Sequence, residues 1–127
     1  MIHPVSILLV DDSELLAERL QRVFEDVENT SFAGHVKDIR SALIHIANDT
    51  PDVVMIDVHM GGENGLDLLR YNRNNYPHLI NIMTSNMSDR DYYQEICLQR
   101  GAHYYLDKSS DIDHLENLLN KIIKLVR

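Results

Sequence analysis

The stretch VSILLVDDSE, residues 5–14, ends its apolar run in two adjacent carboxylates. Ile7 to Val10 are four apolar residues in a row, the pattern of a short strand buried on both faces. Asp12 or Ser13 suits the N-cap of a helix that follows, its side-chain oxygen accepting from free backbone N–H groups. That accounts for one oxygen and leaves a second carboxylate repelled by its neighbour, so something beyond capping is required to explain the pair.

Outward from this stretch, the same strand-then-helix alternation occurs five times. After VSILLV, the residues Leu16, Leu20, Val23, Phe24 and Val27 recur at helical spacing. SFAGHV (31–36) is a weaker second strand, and Ile39, Ala42, Leu43 and Ile46 share a helical face before Asp49–Pro51 breaks the chain. DVVMID (52–57) is the clearest strand. Its helix opens near Asn64, with Asp67 in a capping-box-like position, and stops before Pro77. LINIMT (79–84) is the fourth strand; Ser88 with Asp91 then opens a helix carrying Tyr93, Ile96 and Cys97 as far as Gly101. AHYYLD (102–107) is the fifth, and Ser110 with Asp113 opens a last helix striped by Ile112, Leu115, Leu119, Ile122 and Val126.

Parallel neighbours need crossover connections, and those connections are helices, so this alternation implies a parallel sheet covered on both faces. The 127 residues suffice for one domain, 1–127, with a single sizeable core. A formal net charge of -8 makes the chain a poor electrostatic match for nucleic acid and a better one for a cation or a basic partner. Cys97 is the single cysteine, so there is neither an internal disulfide nor a Cys-rich zinc pattern. With no 18-residue apolar stretch and no signal-like start in MIHPVS, the expectation is a cytoplasmic protein without a membrane segment.

All strands of such a sheet end on one edge, where ligands bind. Asp11 and Asp12 follow strand one, Asp57 ends strand three, Thr84 ends strand four and Lys108 follows strand five. Singly, Thr84 is an ordinary strand-end residue and Lys108 a solvated lysine; together they complete a constellation. Crowded carboxylates call for a hard divalent cation, for which Mg²⁺ is the natural candidate. With the ion in place, one carboxylate can attack a phosphoryl group, Lys108 and the metal offset its charge, and the Thr84 hydroxyl donates to an oxygen.

The ordered set LLVDDS, DVVMIDVHMGGENG, IMTS and YYLDKSS resembles the response-regulator receiver domain of two-component signalling along essentially the whole chain. The resemblance implies a doubly wound, flavodoxin-like sheet of order 2-1-3-4-5 with helices on both faces. It implies that Asp57 is the phospho-acceptor, taking phosphate from a sensor histidine kinase or histidine phosphotransfer protein. Asp12, Asp57 and the His59 backbone carbonyl would hold Mg²⁺ directly, with Asp11 acting through water. Thr84 and Tyr105 would form a switch pair, and Lys108 would pair with the phosphoryl group. Such a domain is a self-catalysing phospho-acceptor rather than an enzyme acting on a separate substrate. It is either a stand-alone regulator working by contact or the receiver portion of a protein with a fused output domain.

Two positions depart from the family pattern. Gly61 and Gly62 follow Met60 where the family most often has Pro, which suggests a looser loop. Ser109 replaces the usual Pro after Lys108, leaving the cis or trans state of that bond open. Neither change removes a reacting group, so altered rates rather than lost activity are expected. His59 and Asn86, two residues past Asp57 and Thr84, are natural rate controls. The helix 4, strand 5 and helix 5 face, roughly residues 88 to 126, is the expected partner or homodimer surface, with Tyr92 or Tyr93 as an anchor and Lys121, Lys124 and Arg127 as charges.

Other classes fit less well. No G-x-x-x-x-G-K-[ST] occurs, which excludes a P-loop hydrolase. An aspartate-nucleophile phosphatase needs a second acid two residues after the nucleophile, and His59 stands there. The runner-up is a pseudo-receiver, an interaction module of this fold that does not turn over phosphate.

Overall fold

The alternation in the sequence becomes a single twisted parallel sheet in the computed structural model, which describes residues 3–86 and 90–126. Its strands are β1 (Val5–Val10), β2 (Thr30–Val36), β3 (Val53–Asp57), β4 (Ile80–Ser85) and β5 (Tyr104–Asp107). They lie in the order β2-β1-β3-β4-β5, as expected. Between and after them run α1 (Glu14–Asp26), α2 (Ile39–Asn48), α3 (Gly65–Asn75), α4 (Arg90–Gln99) and α5 (Leu115–Val126). Among the described residues, no helix is long and apolar enough to cross a membrane.

The pleat of each central strand supplies two cores at once. Ile7 and Leu9 of β1, with Val53 and Met55 of β3, pack against α1 and α5 through Leu20, Phe24, Leu115 and Leu119. Leu8, Val10, Val54 and Ile56 face the other way, onto Ala42, Ile46, Leu68, Leu69 and Cys97 of α2, α3 and α4. This explains the unbroken apolar runs, because a strand buried on both faces has no solvent side to alternate with. Each fully buried Leu or Ile contributes about 1.5–3 kcal/mol relative to exposure. β2 is the weaker strand for the opposite reason: it lies at the sheet edge, half-buried except for the exposed Ser31, and a register shift beside Leu8 leaves it irregular.

Three local expectations change. AHYYLD enters its strand only at Tyr104, because Gly101 and Ala102 belong to the helix stop. The Ala102 N–H reaches the Cys97 carbonyl at 3.0 Å and the Gly101 N–H reaches Leu98 at 3.2 Å. This stop needs the left-handed backbone that Gly101 adopts at φ 102°. The last helix opens later than Ser110: a 3-10 turn, Ile112–His114, follows Asp111 and leads into α5. The loop containing Gly61 and Gly62, expected to be looser, forms a defined turn. The two glycines, at φ 45° and 91°, turn a short antiparallel hairpin that pairs His59 with Asn64 and Met60 with Glu63. The Ser88 start of α4 lies outside the described residues.

Candidate functional site

The two acids of VSILLVDDSE separate into different tasks. Asp11 extends the sheet by one bond, its N–H meeting the Val36 carbonyl at 3.0 Å, and its carboxylate turns inward until the residue has no exposed surface. One of its oxygens accepts from the Ser13 N–H at 2.9 Å, and Ser13 in turn caps α1 by accepting from the Leu16 N–H at 3.1 Å. Ser13, not Asp12, is the cap. Asp12 is exposed and turns to the same acidic cluster: oxygens of Asp11, Asp12 and Asp57 all lie within 4.8 Å of one another.

Lys108 reaches into this cluster from the far side. Its Nζ lies 2.6 Å from Asp11 Oδ2 and 3.0 Å from Asp57 Oδ2, and its side chain is 15% exposed. The backbone that presents it is pinned twice. The Lys108 N–H donates to the Ser85 carbonyl at 2.8 Å, and Asp107 Oδ1 accepts from the Ser109 N–H and hydroxyl at 2.8 and 2.6 Å. Ser109 therefore closes a local turn through its own side chain, and the Lys108–Ser109 bond is trans. Burial opposes the ammonium, yet bonding to Asp11 and attraction to Asp57 prevail and hold the Lys108 pKa above the ordinary lysine value.

Asp57 stands at the centre, 5% exposed, paired in register with Thr84. Burial pushes its carboxyl above the usual carboxylate range, and the Asp11 charge adds to this. Lys108 and the His59 N–H, 3.2 Å from Asp57 Oδ1, work the other way. The net charge of the group decides what it can hold: three carboxylates and one ammonium leave a formal deficit of two positive charges. A divalent cation meets that deficit. Opposite ligands of Mg²⁺ are about 4.2 Å apart, twice its bond length, so a spread of up to 4.8 Å suits an oxygen cage that reaches one carboxylate through water.

The remaining predicted residues fall around this centre. Thr84 is fully buried and its hydroxyl donates to the Ile56 carbonyl at a long 3.4 Å. Tyr105 sits beside Met83 in the sheet with its ring already buried, 7% exposed. Asn86 is exposed just past β4, and His59 is exposed at the start of the hairpin. Tyr92 is 54% exposed while Tyr93 is half-buried, as two neighbours on one helix should be. Lys121 lies over the Tyr104 ring of its own chain at 5.9 Å. Arg127 lies outside the described residues.

Three contributors escaped the sequence reading. His35 of β2 donates from Nε2 to the Asp11 carbonyl at 2.6 Å. Glu63 ties the hairpin to α2 by accepting from the Ile39 N–H at 3.2 Å. Gly65 begins α3 hard against the Asp57 backbone, donating to the Val58 carbonyl at 2.8 Å. Of the three, Gly65 carried a signal that could have been read, a glycine directly after the Asn64 helix start.

The family model described as "Response regulator receiver domain" matches residues 7–120. The chain is 29% identical over 127 residues to a protein-glutamate methylesterase/protein-glutamine glutaminase of Treponema pallidum, covering 98% of this chain and 32% of that protein. It is 26% identical over 111 residues to response regulator GacA of Pseudomonas protegens, covering 87% of this chain and 52% of that one. The chain thus spans a third to a half of the length of these curated relatives. The receiver domain of the Francisella response regulator 1452 superposes with a TM-score of 0.83 at 25% identity, over 96% of this chain and 98% of that one.

Proposed function

Because the chain belongs to the response regulator receiver domain family, we propose that it accepts a phosphoryl group on Asp57 from a phosphohistidine donor. The observation that carries this reading is the Lys108 ammonium bridging Asp11 and Asp57 inside a three-carboxylate cluster at the strand ends. In the transfer an Asp57 oxygen forms a bond to phosphorus as the bond from phosphorus to the histidine nitrogen breaks, and the electron pair leaves with the imidazole. Asp12 and Asp57, with Asp11 through water and the His59 carbonyl, would hold Mg²⁺, which supplies charge neutralisation of the phosphoryl oxygens. Lys108 exchanges part of its pairing with Asp57 for a phosphoryl oxygen while Asp11 retains it. Thr84 gives up a long, weak bond to Ile56 and donates to another oxygen.

Incubation with acetyl phosphate or phosphoramidate, with and without Mg²⁺, tests this by intact mass. A gain of one phosphoryl group only with Mg²⁺ is expected; no gain under either condition leaves an interaction module that does not turn over phosphate. Asp12→Ala is expected to lower Mg²⁺ affinity about tenfold or more by titration, because a hard cation loses a charged oxygen ligand. Unchanged affinity would remove Asp12 from the metal site.

The signal leaves the site through packing. A new charge of about -1.5 to -2 with three acceptor oxygens draws Thr84 and its loop inward. Because Tyr105 is already buried, the displaced loop can act on α4 without waiting for that ring to turn. Hydrogen exchange with beryllofluoride is expected to change protection across residues 88 to 126, the face that would meet an effector, a fused output domain or a second copy. Changes confined to the loops around Asp12 and Asp57 would contradict this route.

A further inference from the structure

The acceptor hairpin and α4 meet through an aromatic contact. The rings of His59 and Tyr93 meet edge to face, with centroids 5.2 Å apart and planes at 86°. Tyr93 meets Tyr92 in the same way, at 5.2 Å and 82°. Three rings therefore run in series from the hairpin beside the acceptor to a side chain that is 54% exposed on α4. Edge-to-face pairs are directional, because the positive ring edge seeks the negative ring face. A His59 ring that would otherwise rotate in solvent is therefore held in one orientation by a half-buried partner.

We propose that Tyr93 is the positioning residue for His59, and that through this contact the placement of α4 sets the lifetime of the phosphoryl group on Asp57. The proposal rests on the acceptor role given above for Asp57. The His59 N–H donates to the acceptor carboxylate itself, so its side chain leaves the backbone at the edge of the reacting centre. An ordered ring there restricts water; an unclamped ring does not. Tyr93 is not a member of the cluster of Asp11, Asp12, Asp57 and Lys108 and acts through His59. Whatever fixes α4 also fixes the His59 ring through this contact, so the placement of the helix acts on the acceptor loop. A partner that covers Tyr92 and fixes α4 would thus lengthen the phosphorylated state it recognises.

The test follows loss of the phosphoryl mass after acetyl phosphate is removed from Mg²⁺-loaded protein. Tyr93→Ala and His59→Ala are each expected to shorten the half-life severalfold and to a similar extent. Tyr93→Leu, which keeps an apolar side chain of similar bulk without a ring, should behave as Tyr93→Ala, and Tyr93→Phe should retain the wild-type value. The double variant Tyr93→Ala with His59→Ala should decay no faster than His59→Ala alone. A wild-type half-life in both Tyr93→Ala and Tyr93→Leu, or a double variant whose effect is the product of the two singles, would overturn the proposal. Ring-proton NMR of the unphosphorylated protein reads the contact separately: the His59 resonances should be displaced by the Tyr93 ring current and return in Tyr93→Leu. No displacement overturns this inference whatever the phosphoryl assay gives, whereas a wild type that gains no phosphoryl group overturns the acceptor role instead.

Discussion

Asp57→Asn takes up no phosphoryl group from acetyl phosphate in Mg²⁺, and in metal-free buffer it melts above the wild type. The first outcome follows from chemistry, since an amide of nearly the same shape is not a competent nucleophile. The second follows from the sign of the Asp57 shift. Burial raises the folded-state pKa above its unfolded value, so the favourable contribution of this group is complete at pH below the unfolded value. It is lost as pH rises through the folded value, and at neutral pH the ionised carboxylate is a net cost. Lys108 is raised too, so its own contribution persists up to its unfolded value and disappears only in strong alkali. The variant keeps the 2.6 Å Asp11–Lys108 pair and gives up the 3.0 Å one. Its amide oxygen can serve Lys108 or the His59 N–H, not both, which subtracts from the gain. The expected balance is a small rise in melting temperature, set by relief of the burial of an ionised carboxylate. Added Mg²⁺ should reverse the order, because binding stabilises the wild type by mass action and the variant far less. Labelling of the variant at an aspartate, or a lower melting temperature without metal, would contradict the assignment.

The parts of this molecule legible in its sequence are those decided by local pattern and chain order. β1 and β3 were visible because burial on both faces leaves a continuous apolar run, and their terminal acids followed once the strands were parallel. Asp11, Asp57 and Lys108 do converge. What escaped depends on neighbours distant in the chain. Gly61 and Gly62 suggested looseness because glycine widens the accessible conformations, yet paired positive φ values match the twist of a tight hairpin. The start of α5 shifted because Asp111 is drawn into the Lys108 turn, its Oδ2 accepting from the Asp107 N–H at 2.8 Å. His35 reaches Asp11 across 24 positions, and Tyr93 meets His59 across 34, so neither contact leaves a local trace.

Gly65→Ala should be among the most damaging single substitutions near the site. A methyl group there would lie 2.1 Å from the Asp57 carbonyl oxygen, 2.8 Å from Ile56 Cγ2 and 3.0 Å from the Asp57 carbonyl carbon. Two of these obstacles are backbone, and that backbone has little freedom: Asp57 is in register with Thr84, and the Val58 N–H holds the Thr84 carbonyl at 2.9 Å. Either α3 withdraws or β3 yields. Withdrawal sacrifices the 2.8 Å Gly65–Val58 bond and loosens Leu66, Leu68 and Leu69 from the core. Yielding moves the acceptor away from Lys108. Overpacking of this kind costs about 3 kcal/mol, which in a domain of this size is roughly 12 °C of melting temperature. A displacement near 1 Å at the reacting carboxylate can slow the chemistry about 100-fold. Gly62→Ala separates this steric effect from simple loss of glycine. Its methyl would meet nothing within 4 Å, and only the left-handed φ of 91° opposes it, so about 1 kcal/mol and near-normal phosphorylation are expected. Thermal melts and acetyl phosphate labelling of the two variants decide the matter. If Gly65→Ala melts and labels like Gly62→Ala, the close approach of α3 to Asp57 is not what places the acceptor.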